Sequence, residues 1–219
     1  MSTGLFITLE GGEGAGKSTL ARALAHHFAR YNIRVDLTRE PGGTLDAEQI
    51  RNLLVSGETG RWSVMEETLL LYAARSNHVR NRILPNLRNG TWVICDRFFD
   101  SSIAYQAKIK TNGEYWSEFF QLHNIVMSGF EPHVTLILDI DPRLGLNRAH
   151  FRGETQSRFE KFSLDYHDQV RQAFLEVAQT YPHRCRVLDA SRPQHEVFVD
   201  ALNQIYSLYP ATRSLEFQK

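Results

Sequence analysis

Two kinds of apolar pattern alternate along the chain. Short continuous apolar runs fall at residues 5–9, 33–38, 92–95, 134–139 and 186–188. Their length and lack of polar alternation predict strands buried on both faces. Between them lie longer stretches with helical spacing. In residues 18–31, Leu20, Ala21, Leu24, Ala25 and Phe28 recur three and four apart, the mark of one buried helix face. Helices are also predicted at 46–56, 101–108, 115–127, 162–179 and 196–208. Ser63 followed by Glu66 is a capping box opening another helix. That helix is apolar nearly all round at Leu69, Leu70, Leu71, Tyr72, Ala73 and Ala74, so it is expected to be buried. Pro85 should bend or interrupt it, and Asn89-Gly90 should end it. Asp141-Pro142 suits an N-cap with proline at the first helical position.

Strands alternating with helices predict an α/β fold. It should hold a five-stranded, mostly parallel sheet with helices on both faces. The chain has 219 residues, of which 42% are hydrophobic and 23% charged. That is ordinary globular composition, which excludes collagen, coiled coil and disorder. With no repeat or linker, residues 1–209 are expected to be one domain and 210–219 a frayed tail. Basic and acidic residues balance at 25 each, so no global field draws nucleic acid or an anionic membrane. Any anion site must be local. No apolar run reaches the ~20 residues that span a bilayer. The start of the chain lacks the charged and apolar regions of a secretory signal. A cytoplasmic protein is therefore expected, with Cys95 and Cys185 as buried free thiols in strand-like runs.

The local anion site is legible. Gly11-Gly12-Glu13-Gly14-Ala15-Gly16-Lys17-Ser18 fits the phosphate-loop pattern, directly after a predicted strand and opening a predicted helix. Glycines let backbone N–H groups wrap a phosphate, and the helix N-terminus adds partial positive charge. Lys17 is expected at the β- and γ-phosphates of ATP and Ser18 on Mg²⁺. No guanine-reading N-K-x-D run accompanies the loop, which argues against a switch GTPase. Asp96-Arg97 and Arg39-Glu40-Pro41-Gly42-Gly43 both follow strands, where ligands sit in open parallel sheets. Asp96 is a candidate to hold Mg²⁺ through water, and Arg97 to clamp a phosphate. Arg148, Arg152 and Arg158, with Gly153 between them, have the look of a mobile clamp over a triphosphate.

These residues together resemble the thymidylate kinase family. The most specific run is Ile94-Cys95-Asp96-Arg97-Phe98-Phe99-Asp100-Ser101-Ser102-Ile103-Ala104-Tyr105-Gln106. It is joined by Leu9-Glu10 with the loop through Thr19, by Arg39 to Thr44, by Tyr72-Ala73-Ala74-Arg75, by Asp139, by Arg148 to Glu154 and by Asp189-Ala190-Ser191. The resemblance covers about residues 4–208. It implies a phosphate-loop kinase fold and transfer of the γ-phosphate of ATP to dTMP, giving dTDP. It implies that residues 11–19 bind ATP and that Glu13 holds the acceptor 3′-hydroxyl. Arg75 and Arg97 should grip the acceptor phosphate, Arg97 in ground and transition states alike. Arg39 and Arg51 are weaker candidates nearby. Ser102, Tyr105 and Gln106 should line the thymine and deoxyribose pocket. Where one branch of the family carries a catalytic arginine in the loop, this chain has Gly14. The charge is therefore expected from Arg148 and Arg152 on a lid spanning about 148–160. A homodimer is also implied.

One position departs from the pattern. Where the family stacks an aromatic on thymine, this chain has Leu71, followed by Tyr72. One helical step turns about 100°, so Tyr72 does not simply replace it. Either Leu71 packs the base by dispersion or another aromatic covers it. The rival readings are a kinase for another nucleoside monophosphate or deoxynucleoside, and a nucleotide-binding regulator with no acceptor.

Overall fold

The computed structural model describes residues 4–58, 60–109, 116–151 and 162–213. Five strands, β1 (Phe6–Glu10), β2 (Val35–Arg39), β3 (Trp92–Asp96), β4 (Val134–Asp139) and β5 (Cys185–Asp189), form one sheet in the order β2-β3-β1-β4-β5. Every pairing is parallel, as the apolar strand pattern led one to expect. Parallel pairing needs crossover helices. The connections hold α1 (Lys17–Ala29), α2 (Leu45–Val55), α3 (Val64–His78), α4 (Leu84–Arg88), α5 (Phe99–Ser102), α6 (Trp116–Met127), α7 (Pro142–His150) and α8 (Leu164–Thr180), and α9 (Gln194–Leu208) and α10 (Pro210–Arg213) follow β5.

The helices cover both sheet faces. One core joins Phe6, Val93, Phe98, Ile103, Ile137 and Phe174. The other joins Ile7, Leu9, Leu24, Ile94, Leu136 and Ile205. Alternate residues of β1, β3 and β4 feed opposite cores, which is why those strands are nearly continuously apolar; the edge strands β2 and β5 are only partly buried, where burial on both faces was expected. Each such fully buried side chain contributes roughly 1.5–3 kcal/mol. Cys95 and Cys185 are free and buried, as expected.

The strand ends fall in line. Leu9 and Arg39 both pair with Asp96, and Asp139 with Asp189. Central β1 is followed in the chain by β2 on one side, while the later strands β4 and β5 lie on the other. Its carboxyl end is therefore the topological switch point where such sheets bind ligands.

Three local expectations change. The α3 helix is not buried all round: Met65 is 37% and Leu69 50% exposed, while Tyr72 and Ala74 are buried. Only one of its faces turns toward the sheet, and no described segment covers the other. Regular α-helix is interrupted ahead of Pro85, as expected. The turn before it, Val79–Ile83, is π-helical and leads into α4, a wider turn that accommodates a residue lacking N–H. The region after Ser102 is likewise π-helical over Ile103–Ile109, where a plain helix was expected. Of the predicted tail, residues 210–213 form the short α10, and the rest lies outside the described residues.

Candidate active site

The donor loop is built from backbone. It leaves the end of β1 and enters α1, whose N-cap Gly16 has φ +94°. Gly14 has φ +67°, and a Cβ there would overlap the carbonyl oxygen of Gly145 in α7. A Cβ on Gly145 would in turn run into the Glu13 carbonyl oxygen. The two glycines thus let α7 lie directly against the loop, and no larger residue fits at 14 without moving one of them. Lys17 is buried and spans the loop, donating from Nζ to the carbonyls of Gly11 (3.1 Å) and Gly12 (2.7 Å). Burial, helped by the Arg97 charge, pushes its pKa down to about 8. An arriving triphosphate would favour the charged form and raise it again. Ser18 Oγ donates to Asp96 Oδ2 at 2.5 Å. This brings the two expected Mg²⁺ residues together, and both offer the hard oxygen donors that ion takes.

The acceptor side is built from side chains. Arg97 follows β3 with φ +70°, a left-handed conformation that non-glycine residues rarely adopt. From there Nη1 donates to Gly11 O (3.0 Å) and Ser101 Oγ (3.2 Å), and Nη2 to Glu13 Oε1 (2.8 Å). Its guanidinium lies 5.3 Å from the Tyr105 ring centroid, and the Tyr105 hydroxyl reaches Glu13 Oε1 at 3.5 Å. The sequence-predicted Glu13, Arg97 and Tyr105 therefore meet at the loop's edge.

Arg75 reaches the same segment from α3. It is 2% exposed. Its Nε donates to Glu40 Oε2 at 2.6 Å, and its Nη2 to Phe98 O (3.2 Å) and Ser102 Oγ (3.0 Å). Its Nη1 is buried with no partner. A buried donor left open costs stability unless a ligand's acceptor takes it. Glu40 is held from its other oxygen by His78 Nδ1 at 3.1 Å, and His78 Nε2 meets Thr38 Oγ1 at 2.7 Å. A Cβ on Gly43 would overlap that His78 ring, which explains the second glycine of the Arg39 to Thr44 run. Gln106 Nε2 donates to Glu67 Oε1 at 2.8 Å, both buried.

Other expected residues sit apart from this cluster. Arg39 is exposed and pairs with Glu48 at 3.2 Å. Arg51 is turned to the Pro41 carbonyl at 2.8 Å. Leu71 is half-buried on α3. Its neighbour Tyr72 is buried, bonded through its hydroxyl to His123 Nδ1 at 3.0 Å. Tyr72 is thus committed to the core rather than to a base, in keeping with the helical offset. Arg148 donates to the carbonyls of Ala190 (2.9 Å) and Ser191 (3.3 Å). It is fastened to the turn after β5. Arg152 and Arg158, with most of the expected lid, lie outside the described residues.

The sequence reading assigned no role to Glu10, Glu40, His78 or the buried pair Asp100–Arg184. That pair is bidentate, with both bonds at 2.8 Å. Glu10 and Glu40 lie inside the quoted motifs, so their buried strand-end positions were a usable signal. Arg184 stands outside every motif, and nothing local marks it.

Comparison with known proteins agrees with this geometry. The model of the family described as thymidylate kinase matches residues 9–201. A thymidylate kinase of Magnetococcus marinus is 45% identical over 190 residues, covering 87% of this chain and 90% of the relative. One from Caulobacter vibrioides is 46% identical over 191 residues, covering 87% and 90%. The crystal structure of thymidylate kinase from Ehrlichia chaffeensis superposes with a TM-score of 0.72 at 32% identity, covering 93% of this chain and 99% of that one.

Proposed function

This chain belongs to the thymidylate kinase family and phosphorylates dTMP to dTDP with ATP, and we propose the following division of labour among its residues. Residues 11–19 hold the ATP phosphates, with Lys17 at the β- and γ-groups. Ser18 and Asp96 hold Mg²⁺, which when bound neutralises phosphate charge. Arg75 and Arg97 clamp the acceptor phosphate, Glu13 takes the sugar hydroxyl, and Ser102, Tyr105 and Gln106 line the nucleoside pocket. Arg39 and Arg51 stand farther out, on the approach to that clamp. Arg148 and Arg152 bring charge from the lid as transfer proceeds.

The observation that carries this reading is the open Nη1 of wholly buried Arg75, tied through Ser102 and Phe98 to the segment that Arg97 begins. Phosphoryl transfer asks for positioning and charge neutralisation rather than covalent chemistry. The attacking acceptor oxygen is already largely deprotonated, so no general base is assigned.

The exposed apolar face of α3, at Met65 and Leu69, supports a homodimer packed through that helix. No described helix is long and apolar enough to cross a membrane. The two free buried thiols fit a reducing cytoplasm. Coupled ADP release with dTMP, dUMP, dCMP, dGMP and thymidine as separate acceptors tests the assignment. Turnover should be selective for dTMP. Equal turnover of dCMP or dGMP would overturn the pocket, and ADP release independent of any acceptor would overturn the clamp.

A further inference from the structure

Glu10 is the last residue of β1, fully buried, and the transfer chemistry makes no use of it. Its Oε1 accepts from the backbone N–H of Phe98 (2.7 Å) and of Ser101 (3.3 Å), and its Oε2 from the Ser101 hydroxyl (2.6 Å). We propose that Glu10 is a positioning residue for phosphoryl transfer, holding Arg97 and the acceptor helix in register with the donor loop.

Three observations carry this. First, α5 begins after Phe98, whose side chain provides no cap. The orphan N–H groups of a helix start need acceptors, and Glu10 supplies one from another element, sharing the Ser101 N–H with Phe98 O and also taking the N-cap Phe98 N–H. The π-helical extension of α5 bears Tyr105 and Gln106, so Glu10 seats the helix that carries the proposed nucleoside pocket. Second, Arg97 is held left-handed. Such a conformation persists only where its surroundings over-determine it. It is pinned on one side by its own N–H to Leu9 O at 2.9 Å and on the other by Glu10 gripping Phe98. Third, a side-chain relay runs Arg97 Nη1 to Ser101 Oγ to Glu10 Oε2. Glu10 therefore fixes Arg97 through backbone and side chain at once.

The position in the chain makes this a coupling between half-sites. The next residue, Gly11, begins the phosphate loop, and its carbonyl accepts from both Lys17 and Arg97. One buried side chain thus joins the strand that presents ATP to the turn that presents the acceptor clamp. Burial and nearby Asp100 push Glu10 up to about 8, while the bonds from Ser101 and Phe98 and the Arg97 charge favour its ionised form. A glutamine would fill the same volume, but its amide would meet the Ser101 hydroxyl as a donor rather than an acceptor.

The inference rests on Arg97 being the acceptor clamp, and three variants of the full chain keep the two claims apart. Steady-state kinetics with dTMP would be measured beside ATP affinity without acceptor, for Glu10→Gln, Ser101→Ala and Arg97→Ala. Glu10→Gln should lower kcat/KM for dTMP on the order of 100-fold, the effect of displacing a reacting group by about 1 Å. Ser101→Ala, which removes both hydrogen bonds of its hydroxyl, should lower it about tenfold. ATP affinity should hold in both. The double variant should be no worse than Glu10→Gln, because the two act in one relay. Should Glu10→Gln fail to fold, Ser101→Ala, at a half-buried site, still decides. Melting temperatures that fall while kcat/KM for dTMP stays at wild type would reduce Glu10 to a structural residue and overturn the proposal. So would losses of ATP and dTMP affinity in equal measure. Unchanged dTMP kinetics in Arg97→Ala would instead overturn the clamp itself.

Discussion

On the donor side, residues 11–19 present backbone to the ligand, and Lys17 rests on the loop's own carbonyls. On the acceptor side, Arg75 is held by Glu40 just after β2, and Arg97 by Glu13 of the donor loop and, through Ser101, by Glu10 of β1. The donor half is local: a run of glycines, one lysine and a helix start suffice, because N–H groups and the helix dipole do the binding. The acceptor half is assembled at long range, by carboxylates that hold cations already taken out of water. Fixing a guanidinium in a dry site requires such partners, since a buried charge without them is costly.

That contrast can be broken by removing partners. The largest effect is expected at Glu40. Glu40→Ala leaves Arg75 buried and unpaired, and urea denaturation should show a loss of about 3–5 kcal/mol. A loss below about 1 kcal/mol, the scale of an exposed pair, would mean that the acceptor side is not held by this ion pair. Lys17→Ala should leave the fold near wild type and cut turnover at least ~100-fold, the scale of one lost transition-state contact. Near-normal turnover would remove the lysine from the donor site. At Gly14, Gly14→Ala should destabilise by about 1–3 kcal/mol and loosen ATP binding, because overpacking and a left-handed backbone act together. Calorimetric melting that matches wild type would show that α7 yields freely.

A subtler effect concerns pH. Lys17, facing Arg97, Asp96, Glu13 and Glu10, has its pKa lowered to about 8. Between about pH 8 and its ordinary value near 10.5, the free protein's lysine is neutral while the unfolded chain's is charged. This group's penalty on folding is therefore full below pH 8 and is relieved as pH rises toward 10.5. ATP binding should recharge the lysine, so calorimetry in two buffers at pH 8.5 should show proton uptake that vanishes in Lys17→Ala. Uptake unchanged in that variant would assign the proton elsewhere. The smallest effect is expected at Arg39, an exposed partner of Glu48. Arg39→Ala should change stability by no more than ~1 kcal/mol, and a larger loss in denaturation would show that this pair is more than surface charge.

The same contrast explains what was legible. Strand and helix order could be read because buried parallel strands are continuously apolar, and the phosphate loop because its chemistry is contiguous. Glu13, Arg97 and Tyr105 were named through the resemblance, and the structure brings them together. The chain of groups that fixes Arg75 through Glu40 was not. Glu40, His78 and Thr38 come from two elements, and no spacing in one chain announces that they meet. Arg184 fills the same role under α5 through Asp100, 84 residues away in sequence. The uncovered face of α3 was misread because composition alone does not tell a core-facing leucine from an outward one. The π-helical turns at Val79–Ile83 and Ile103–Ile109 depend on packing rather than propensity.

Binding calorimetry on Arg75→Lys tests the two-half account most directly. The variant keeps a cation beside Glu40 and deletes the open Nη1. An ammonium does not reproduce the guanidinium fork. With ATP and dTMP titrated separately, dTMP affinity should fall at least ~10-fold, the loss of one charge-assisted hydrogen bond, and ATP affinity should stay at wild type. Loss of ATP binding with dTMP binding intact would contradict the account and place Arg75 on the donor side.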